Sequence, residues 1–246
     1  MNRLFRHMIP FSWRARLRRA QQYAAHAALP VRRVTDFGQL RRLSPISNDF
    51  GAYRGQPIDR YYIEQFLADH ALDMRGRVLE VQSDTYTRRF GGDRVLQRDV
   101  LDISDVNERA TLVADLGVRD SLPGHTFDCI LCTQTLLLVY DLQAAIRNLQ
   151  RALKSGGVVL ATMPGVAHKL ASREPSGDFW RFTSHSARRA FADAFGADNV
   201  DVRTYGNVLA ATAFLHGLAT EELEPDELEA HDPDFEVTIA VRAVKQ

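Results

Sequence analysis

Acidic residues lie in three consecutive apolar runs of the chain, where they are suited to binding a polar ligand. Glu80 lies in VLEV, Asp99 in RVLQRDV and Asp115 at the end of ATLVAD. Each run is short and apolar, which predicts a β-strand. Carboxylates near strand ends can accept hydrogen bonds from the hydroxyl or amino groups of a ligand. The sequence therefore predicts a ligand site at one edge of a sheet.

The two cysteines of the chain, Cys129 and Cys132, have the spacing Cys-x-x-Cys within FDCILC. This pair supplies two soft ligands, whereas a structural zinc site needs four. Because the run is apolar and predicts a buried strand, we expect both thiols to pack in the core. We therefore predict no metal site, and two cysteines exclude a disulfide scaffold.

Strands that alternate with helices must position these residues. Apolar runs predict seven strands, at residues 78–81, 94–100, 110–115, 127–135, 158–164, 199–206 and 234–244. Helical periodicity predicts helices at 59–72, 141–153, 186–195 and within 208–228, the second capped by Asp141 and the third by Thr183 or Ser184. This order predicts an α/β fold: a doubly wound, mostly parallel seven-stranded sheet with an antiparallel last strand.

The N-terminal part of the chain differs from the rest in charge. The 246 residues contain 31 basic and 31 acidic side chains, but residues 1–50 contain ten arginines and two acids. Helical periodicity at 11–29 predicts a helical cap or arm over residues 1–57, followed by the sheet domain at 58–246. The basic arm could contact a membrane surface or an acidic partner, or it could be a solvated helix packed on the domain. We find no apolar stretch near 18 residues and no secretory signal, so we expect a cytoplasmic protein.

One long segment resembles a known family. Residues 114–165 have an acid after the third strand, Leu-Pro before Phe-Asp, a strand, a helix and a Lys-Ser-Gly-Gly turn into the fifth strand. This order is similar to that of class I S-adenosylmethionine-dependent methyltransferases, in particular the type 11-like group. The resemblance covers roughly residues 58–243, and GQPIDRYYIEQFL and DFWRFTSHSARRAF are similar to a subgroup found near sugar and natural-product biosynthesis. It implies a Rossmann-like methyltransferase fold and S-adenosylmethionine as cofactor.

The loop after the first strand departs from the family pattern E-x-G-x-G-x-G. Glu80 stands in the acidic place, but Gln82, Asp84 and Tyr86 replace the three glycines. Glycine serves there because the backbone passes close to the cofactor and can need a positive φ. Gln82 and Asp84 fit if φ stays negative, or if Asp84 adopts a left-handed turn, and Tyr86 could roof the pocket. The resemblance assigns Glu80, Gln82 and Asp84 to cofactor binding.

The resemblance implies further cofactor contacts at the other strand ends. Asp99, nineteen residues after the acid of the first strand, would accept the two ribose hydroxyls, with Asp102 as the second choice. Asp115 would accept a hydrogen bond from the adenine amino group, with Leu116 beside it. Gln134 would lie beneath the cofactor. Read without the resemblance, these aspartates could equally cap helices or form turns.

Methyl transfer from a sulfonium is an in-line displacement, so the enzyme mainly aligns the acceptor and excludes water. A hydroxyl acceptor benefits from a base, and His168 and His185 are the candidates in loops after the fifth strand. Trp180 and Arg181 lie where this family commonly builds its acceptor pocket. We assign both to substrate binding, with core packing as the alternative for Trp180.

Residues Arg60, Tyr61 and Tyr62 precede the sheet, where the resemblance implies a lid over cofactor and acceptor. Tyr61 and Tyr62 point about 100° apart on a helix, so one can face the pocket while the other packs in the core. Arg60 could bind the cofactor carboxylate or form an ion pair with Glu64 at i+4. We assign all three residues to the substrate side of the site.

The expected activity is methyl transfer to a small-molecule acceptor, most simply a hydroxyl of a sugar or secondary metabolite. The alternative, motivated by the missing glycines, is a methyltransferase-like protein that acts as a binding module or a non-methylating catalyst. We expect no nucleic-acid partner, because the N-terminal arginines have few interleaved aromatic residues and no RNA-binding module pattern accompanies them. A homo-oligomer is left open.

Overall fold

The computed structural model describes residues 36–169 and 177–246. The chain divides into two compact units, Met1–Arg42 and Leu43–Gln246. The helix predicted at 11–29 lies outside the described residues, and so do the arginines on which the expected membrane or acidic partner depends. The described part of the first unit contains one turn of 3-10 helix, at Gly38–Leu40.

The sheet domain begins earlier in the chain than the boundary predicted between residues 57 and 58. Its compact unit starts at Leu43. The backbone N–H of Ser47 donates to the carbonyl of His216 over 3.1 Å, and the ring of Phe50 stacks on that of Phe214 at a centroid distance of 5.4 Å. Residues 43–57 therefore belong to the sheet domain.

A seven-stranded sheet forms the centre of this domain. Its strands are β1 (Gly76–Val81), β2 (Val95–Asp102), β3 (Leu112–Val113), β4 (Phe127–Thr133), β5 (Leu153–Pro164), β6 (Val200–Tyr205) and β7 (Thr238–Val244). The order across the sheet is β3-β2-β1-β4-β5-β7-β6. Strand β7 is antiparallel to both neighbours, and the other pairs are parallel. The predicted sheet is confirmed, including its antiparallel last strand.

Helices cover both faces of the sheet. They are α1 (Ile58–Asp69), α2 (Leu142–Ala152), α3 (Ser184–Phe195), α4 (Val208–Leu215) and α5 (Pro225–Glu229). One apolar core lies between the sheet and helices α2 and α3, and a second lies between the sheet and α1. A third joins α1 to α4 and α5. Shorter helical turns lie at Asp49–Gly51, Ala71–Asp73, Thr87–Gly91, Gly92–Arg94, Leu136–Leu138, Ala197–Asn199 and Thr220–Glu222.

Two helices begin at the caps that the sequence predicts. The Asp141 carboxylate accepts a hydrogen bond from the backbone N–H of Ala144 over 2.9 Å at the start of α2. Thr183 and Ser186 form a reciprocal capping box at the start of α3. Each bond satisfies an N–H that the first helical turn would otherwise leave without a partner.

Strand β2 extends beyond its predicted end. Leu101 and Asp102 pair with β3, so the residue at the carboxyl end of β2 is Asp102. Asp99 lies inside the strand and is 6% exposed. The apolar pair Val100-Leu101 continues the buried run past Asp99, which explains why the strand does not end there.

The turn after β1 depends on a buried carboxylate. Glu80 is 2% exposed and accepts hydrogen bonds from the backbone N–H groups of Tyr86 at 3.1 Å and Thr87 at 2.8 Å. Burial raises the pKa of this carboxyl, while the hydrogen bonds from Thr87 and Tyr86 oppose the shift. Glu80 therefore holds the turn to the sheet.

Replacing Glu80 with alanine should lower the free energy of unfolding by about 2–4 kcal/mol, because two buried N–H groups lose their acceptor. Glu80→Gln should cost less, since the amide oxygen can still accept one bond and no charge is buried. Urea denaturation of the two variants measures the difference. Glu108→Ala, at an exposed position, is the control. If Glu80→Ala destabilised the protein no more than Glu108→Ala, this role of Glu80 would be contradicted.

Candidate functional site

A cavity of about 480 Å³ lies at the carboxyl ends of the strands. We call it the acidic cleft, because its charged lining residues among those the structure describes are Asp102, Asp115 and Asp141, with no lysine, arginine or histidine among them. It lies beside β1, which neighbours both β2 and β4 in the sheet. Chain connections diverge to opposite sides at that point of a doubly wound sheet, which leaves a crevice for a ligand.

Backbone and amide N–H groups hold these carboxylates in place. Asp102 accepts hydrogen bonds from the backbone N–H of Ser104 at 3.1 Å and from the side-chain amide of Asn107 at 2.7 Å. Asp115 accepts from the backbone N–H of Gly117 at 2.7 Å. The third acid, Asp141, caps α2. The cleft thus presents three oriented carboxylates to a ligand.

Gln82 stands at the first missing glycine and has a glycine-like backbone. Its φ is +71°, so Gln82 does not fit through a negative φ, the condition that the sequence analysis set, and adopts the left-handed conformation instead. Its N–H donates to the carbonyl of Leu101 at 2.8 Å, and its carbonyl accepts from the Asn107 amide at 2.9 Å. These bonds offset the strain of a left-handed non-glycine residue, and Gln82 lines the acidic cleft.

A second cavity, of about 60 Å³, contains a histidine and is called the histidine cleft. The His168 ring stacks on the ring of Phe50, with a centroid distance of 4.2 Å. Burial lowers the pKa of His168, and the charge of Arg181 lowers it further. The imidazole is therefore neutral near pH 7, with nitrogen available as a proton acceptor. Phe50 has a φ of +55°, which marks a second strained backbone in the site.

The two clefts lie on either side of the same two chain segments. In the loop after β4, Gln134 and Leu137 line the histidine cleft, whereas Thr135 and Leu138 line the acidic cleft. In the segment before α3, Asp178 and Arg181 line the histidine cleft, whereas Phe179 lines the acidic cleft. Since consecutive residues face different cavities, the clefts are neighbours.

Arg60 is the residue of α1 that lines the histidine cleft. Burial opposes its charge, but the opposite charge of Asp59 and the Tyr86 hydroxyl outweigh this cost and raise its pKa. Glu64 forms its ion pair with Arg89, at 2.7 Å, so the surface ion pair considered for Arg60 is not formed. Arg60 therefore provides a fixed positive charge at the cleft.

Asp99 does not reach the cleft, contrary to its assigned contact with a ribose. Its carboxylate accepts a hydrogen bond from Arg77 Nε at 2.7 Å and another from the hydroxyl of Thr111 at 3.3 Å. A carboxylate buried inside a strand needs such partners. The acid at the strand end is Asp102, the second choice of the sequence analysis.

Three further residues assigned to the cofactor lie in different parts of the structure. Asp84 lies outside the acidic cleft, because it is bound by Arg88 Nε at 2.6 Å and lines a different cavity. Leu116 lines the acidic cleft beside Asp115. Glu80 holds the turn after β1 and is absent from the lining of the acidic cleft.

The two tyrosines of α1 join helices rather than line either cleft. The Tyr61 hydroxyl donates to the Glu229 carboxylate, a bond that raises the pKa of Tyr61 to about 12. The Tyr62 hydroxyl donates to the carbonyl of Leu228 at 3.0 Å. Their assignment to substrate binding is corrected, because α5 packs on the surface that the sequence left open.

Three residues near α3 were assigned to catalysis or substrate binding, and of these only Arg181 lines the histidine cleft. His185 is exposed on α3 and lines neither cleft. Trp180 donates from Nε1 to the carbonyl of Val139 at 2.9 Å and stacks on Tyr140, so it braces the loop after β4. The Arg181 guanidinium is held by the Asp178 carboxylate and by three backbone carbonyls, including that of His168 at 2.7 Å. It positions the loop that carries His168.

Phe50, Asp178 and Phe179 are site residues that the sequence analysis missed. The turn-rich segment around Phe50 gave no periodic signal, and Asp178 and Phe179 precede the WRFT residues that drew attention. Only their position in the fold brings them to the clefts. No group of three or more His, Cys, Asp or Glu residues that could hold a metal occurs in the described part of the chain. Within the same residues, no helix is long and apolar enough to cross a membrane.

Comparison with known proteins agrees with the fold. Residues 71–161 match the family described as methyltransferase domain. No curated protein sequence matches the chain. The fold is similar to that of a SAM-dependent methyltransferase from Archaeoglobus fulgidus, at 12% identity and a TM-score of 0.50, over 76% of this chain and 94% of that chain.

Two further solved structures share this fold. One is the N-methyltransferase NodS from Bradyrhizobium japonicum WM9 in complex with S-adenosyl-L-homocysteine, at 12% identity and a TM-score of 0.50, over 82% of this chain and 94% of that chain. The other is the [4+2]-cyclase SpnF, at 17% identity and a TM-score of 0.50, over 82% and 86% of the two chains. These identities establish a common fold, and the matched segment runs from before β1 into β5. Residues 71–161 thus match the methyltransferase-domain family, and the domain shares its fold with S-adenosylmethionine-dependent methyltransferases, while its loop after β1 lacks the glycines of the pattern E-x-G-x-G-x-G.

Proposed function

We propose that this protein transfers a methyl group from S-adenosylmethionine, the cofactor of its family, to a hydroxyl of a small-molecule acceptor. The observation that carries the proposal is the pair of neighbouring clefts divided by the loop after β4 and the segment before α3. In-line displacement requires donor and acceptor to meet across a short distance from opposite directions. Two cavities that share two walls supply this arrangement.

The acidic cleft suits the charge of the cofactor. S-adenosylmethionine carries a sulfonium and an ammonium against one carboxylate. Within residues 36–169 and 177–246, the cleft presents three carboxylates and no basic side chain. A lining of one sign attracts a ligand of the opposite sign. A volume of about 480 Å³ lies within the usual range of small-ligand sites, about 300–1,000 Å³. The residues present therefore fit this cofactor.

Within the acidic cleft we assign the ribose hydroxyls to Asp102 and the adenine amino group to Asp115. Asp102 ends β2, and the Ser104 and Asn107 bonds fix its carboxylate without using all of its acceptor capacity. Leu116 is an apolar neighbour for the adenine ring. The left-handed backbone at Gln82 lets the chain turn beside the cleft as a glycine would.

The histidine cleft suits the reacting group of the acceptor. A volume of about 60 Å³ admits a hydroxyl and its carbon, so the rest of the acceptor must lie outside this cavity. His168 would accept the proton as the oxygen attacks, because its imidazole is neutral. Arg60 would stabilise the negative charge that develops on that oxygen.

The second candidate function is a methyltransferase-like protein that does not transfer methyl. Two observations favour it: the glycines of the β1 loop are missing, and SpnF, a protein of this fold, is a [4+2]-cyclase. Two measurements together distinguish the candidate functions: calorimetry with S-adenosylmethionine and S-adenosylhomocysteine, and an assay for S-adenosylhomocysteine release. The leading proposal expects binding of both and release with a hydroxylated acceptor, whereas no binding of either at millimolar concentration would remove it.

We expect Asp102→Ala to weaken binding of S-adenosylhomocysteine by roughly 10- to 100-fold, because charge-assisted hydrogen bonds to the ribose contribute about 1.5–3 kcal/mol. Asp99→Ala is the matched control, three residues earlier in the same strand. It should lower the melting temperature, since Arg77 loses its partner, yet leave the Kd of the folded protein within about twofold. A comparable loss of affinity in both variants would contradict the assignment.

The methyl-transfer rate should depend on the protonation of His168. Because the pKa of His168 lies below the ordinary value of 6.5, the neutral base persists at pH 7. The kcat should therefore fall only as the pH drops through the lowered pKa of His168. His168→Gln should reduce kcat by about 10²–10⁴-fold and abolish this pH dependence, with unchanged cofactor affinity. His185→Gln, at an exposed position on α3, should change neither. Retention of the acid limb in His168→Gln would exclude His168 as the base.

A further inference from the structure

A separate cavity of about 830 Å³ lies beside β2 and the turn after β1. We call it the arginine pocket, because four arginines and a single carboxylate line it. Its lining residues are Asp84, Thr85, Val100 and Thr111 together with Arg88, Arg89, Arg98 and Arg109. It shares no lining residue with the acidic cleft or the histidine cleft. The arginine pocket is thus a distinct site on the domain.

Two of these arginines have close carboxylate partners. Arg88 Nε lies 2.6 Å from Asp84, and Arg89 lies 2.7 Å from Glu64, which belongs to α1 outside the pocket. Arg98 Nε is 3.7 Å from the same Asp84 oxygen, which is beyond hydrogen-bond distance. One carboxylate therefore serves two guanidinium groups.

Arg109 lacks a carboxylate partner in the described part of the chain. Its backbone N–H donates to Asn107 Oδ1 at 3.1 Å. The four guanidinium groups thus face only two close carboxylates within the described residues, Asp84 and Glu64, so two positive charges are left uncompensated. Like charges gathered in one cavity repel each other, and a bound anion would relieve that repulsion.

The fold leaves this pocket open to a ligand. Residues 103–111 connect β2 to the two-residue strand β3 without a helix, so no helix covers the guanidinium groups there. The side chains of Arg88, Arg89 and Arg98 are 63%, 56% and 41% exposed. The apolar side chain of Val100 is buried beneath them. The base of the pocket is formed by the sheet, and its sides are formed by arginine side chains.

We infer that the arginine pocket binds the diphosphate group of a small molecule. Guanidinium groups bind phosphate oxygens through paired N–H donors, which lysines cannot match. A diphosphate carries at least two negative charges and so balances the two positive charges that the arginine cluster leaves uncompensated. A single carboxylate would leave one of them without a partner. The volume leaves room for the group that carries the diphosphate.

Isothermal titration of the full-length protein with inorganic pyrophosphate, at constant ionic strength, tests this inference. Wild-type protein should bind pyrophosphate, and Arg98→Gln/Arg109→Gln should weaken binding at least about tenfold, since two charge-assisted contacts are lost. The control is Arg119→Gln/Arg189→Gln, which removes two exposed arginines paired with Asp120 and Asp193 elsewhere on the domain. It should leave pyrophosphate binding unchanged.

Binding of S-adenosylhomocysteine to each variant shows that the fold is intact. It also distinguishes the failure of this inference from the failure of the proposed methyl transfer. Asp102→Ala should lose affinity for S-adenosylhomocysteine and keep its affinity for pyrophosphate. No binding of pyrophosphate to wild type, or equal weakening in the control pair, would overturn the inference. Uridine diphosphate in solution and geranyl diphosphate in neutral vesicles then distinguish a nucleotide from a lipid source, and binding of either supports the site.

Discussion

Burying a carboxylate away from water costs free energy unless positive charge or N–H groups surround it, and this constraint decides what each acid near the sheet edge can do. Glu80 is buried against the N–H groups of the turn after β1, and Asp99 is buried against Arg77. Both carboxylates therefore bind groups of the protein itself rather than a ligand. Asp102 and Asp115 lie at the edge, held by local N–H groups and open to a cleft. The ligand site follows from this division of the acids.

Much of the fold could be predicted from the sequence, because its signals are local. Alternating apolar runs indicated the seven strands, and Asp141 and Thr183 indicated where α2 and α3 begin. The site was predicted less well, since it depends on which elements meet. Tyr61 and Tyr62 have helical periodicity, but only the packed structure shows that α5 occupies the face where they point. Similarly, a shift of the β2 end by two residues moved the edge acid from Asp99 to Asp102.

The loop after β1 separates two sites of opposite charge. Gln82 lines the acidic cleft, and two residues later Asp84 lines the arginine pocket. A cationic cofactor suits the first site and a diphosphate the second, because each lining attracts the opposite charge. Replacement of the family's glycines by polar residues is consistent with this double use: Gln82 keeps the left-handed backbone, while Asp84 orders Arg88 and lies near Arg98.

We propose that the acidic cleft holds the cofactor with its sulfur directed toward the histidine cleft. A crystal structure of the protein with S-adenosylhomocysteine measures this directly. The account predicts ribose hydroxyls within hydrogen-bond distance of Asp102, the adenine amino group at Asp115, and the sulfur facing the wall that Gln134 and Leu137 share with His168. A ligand bound elsewhere, or one whose sulfur faces away from His168, would contradict the account.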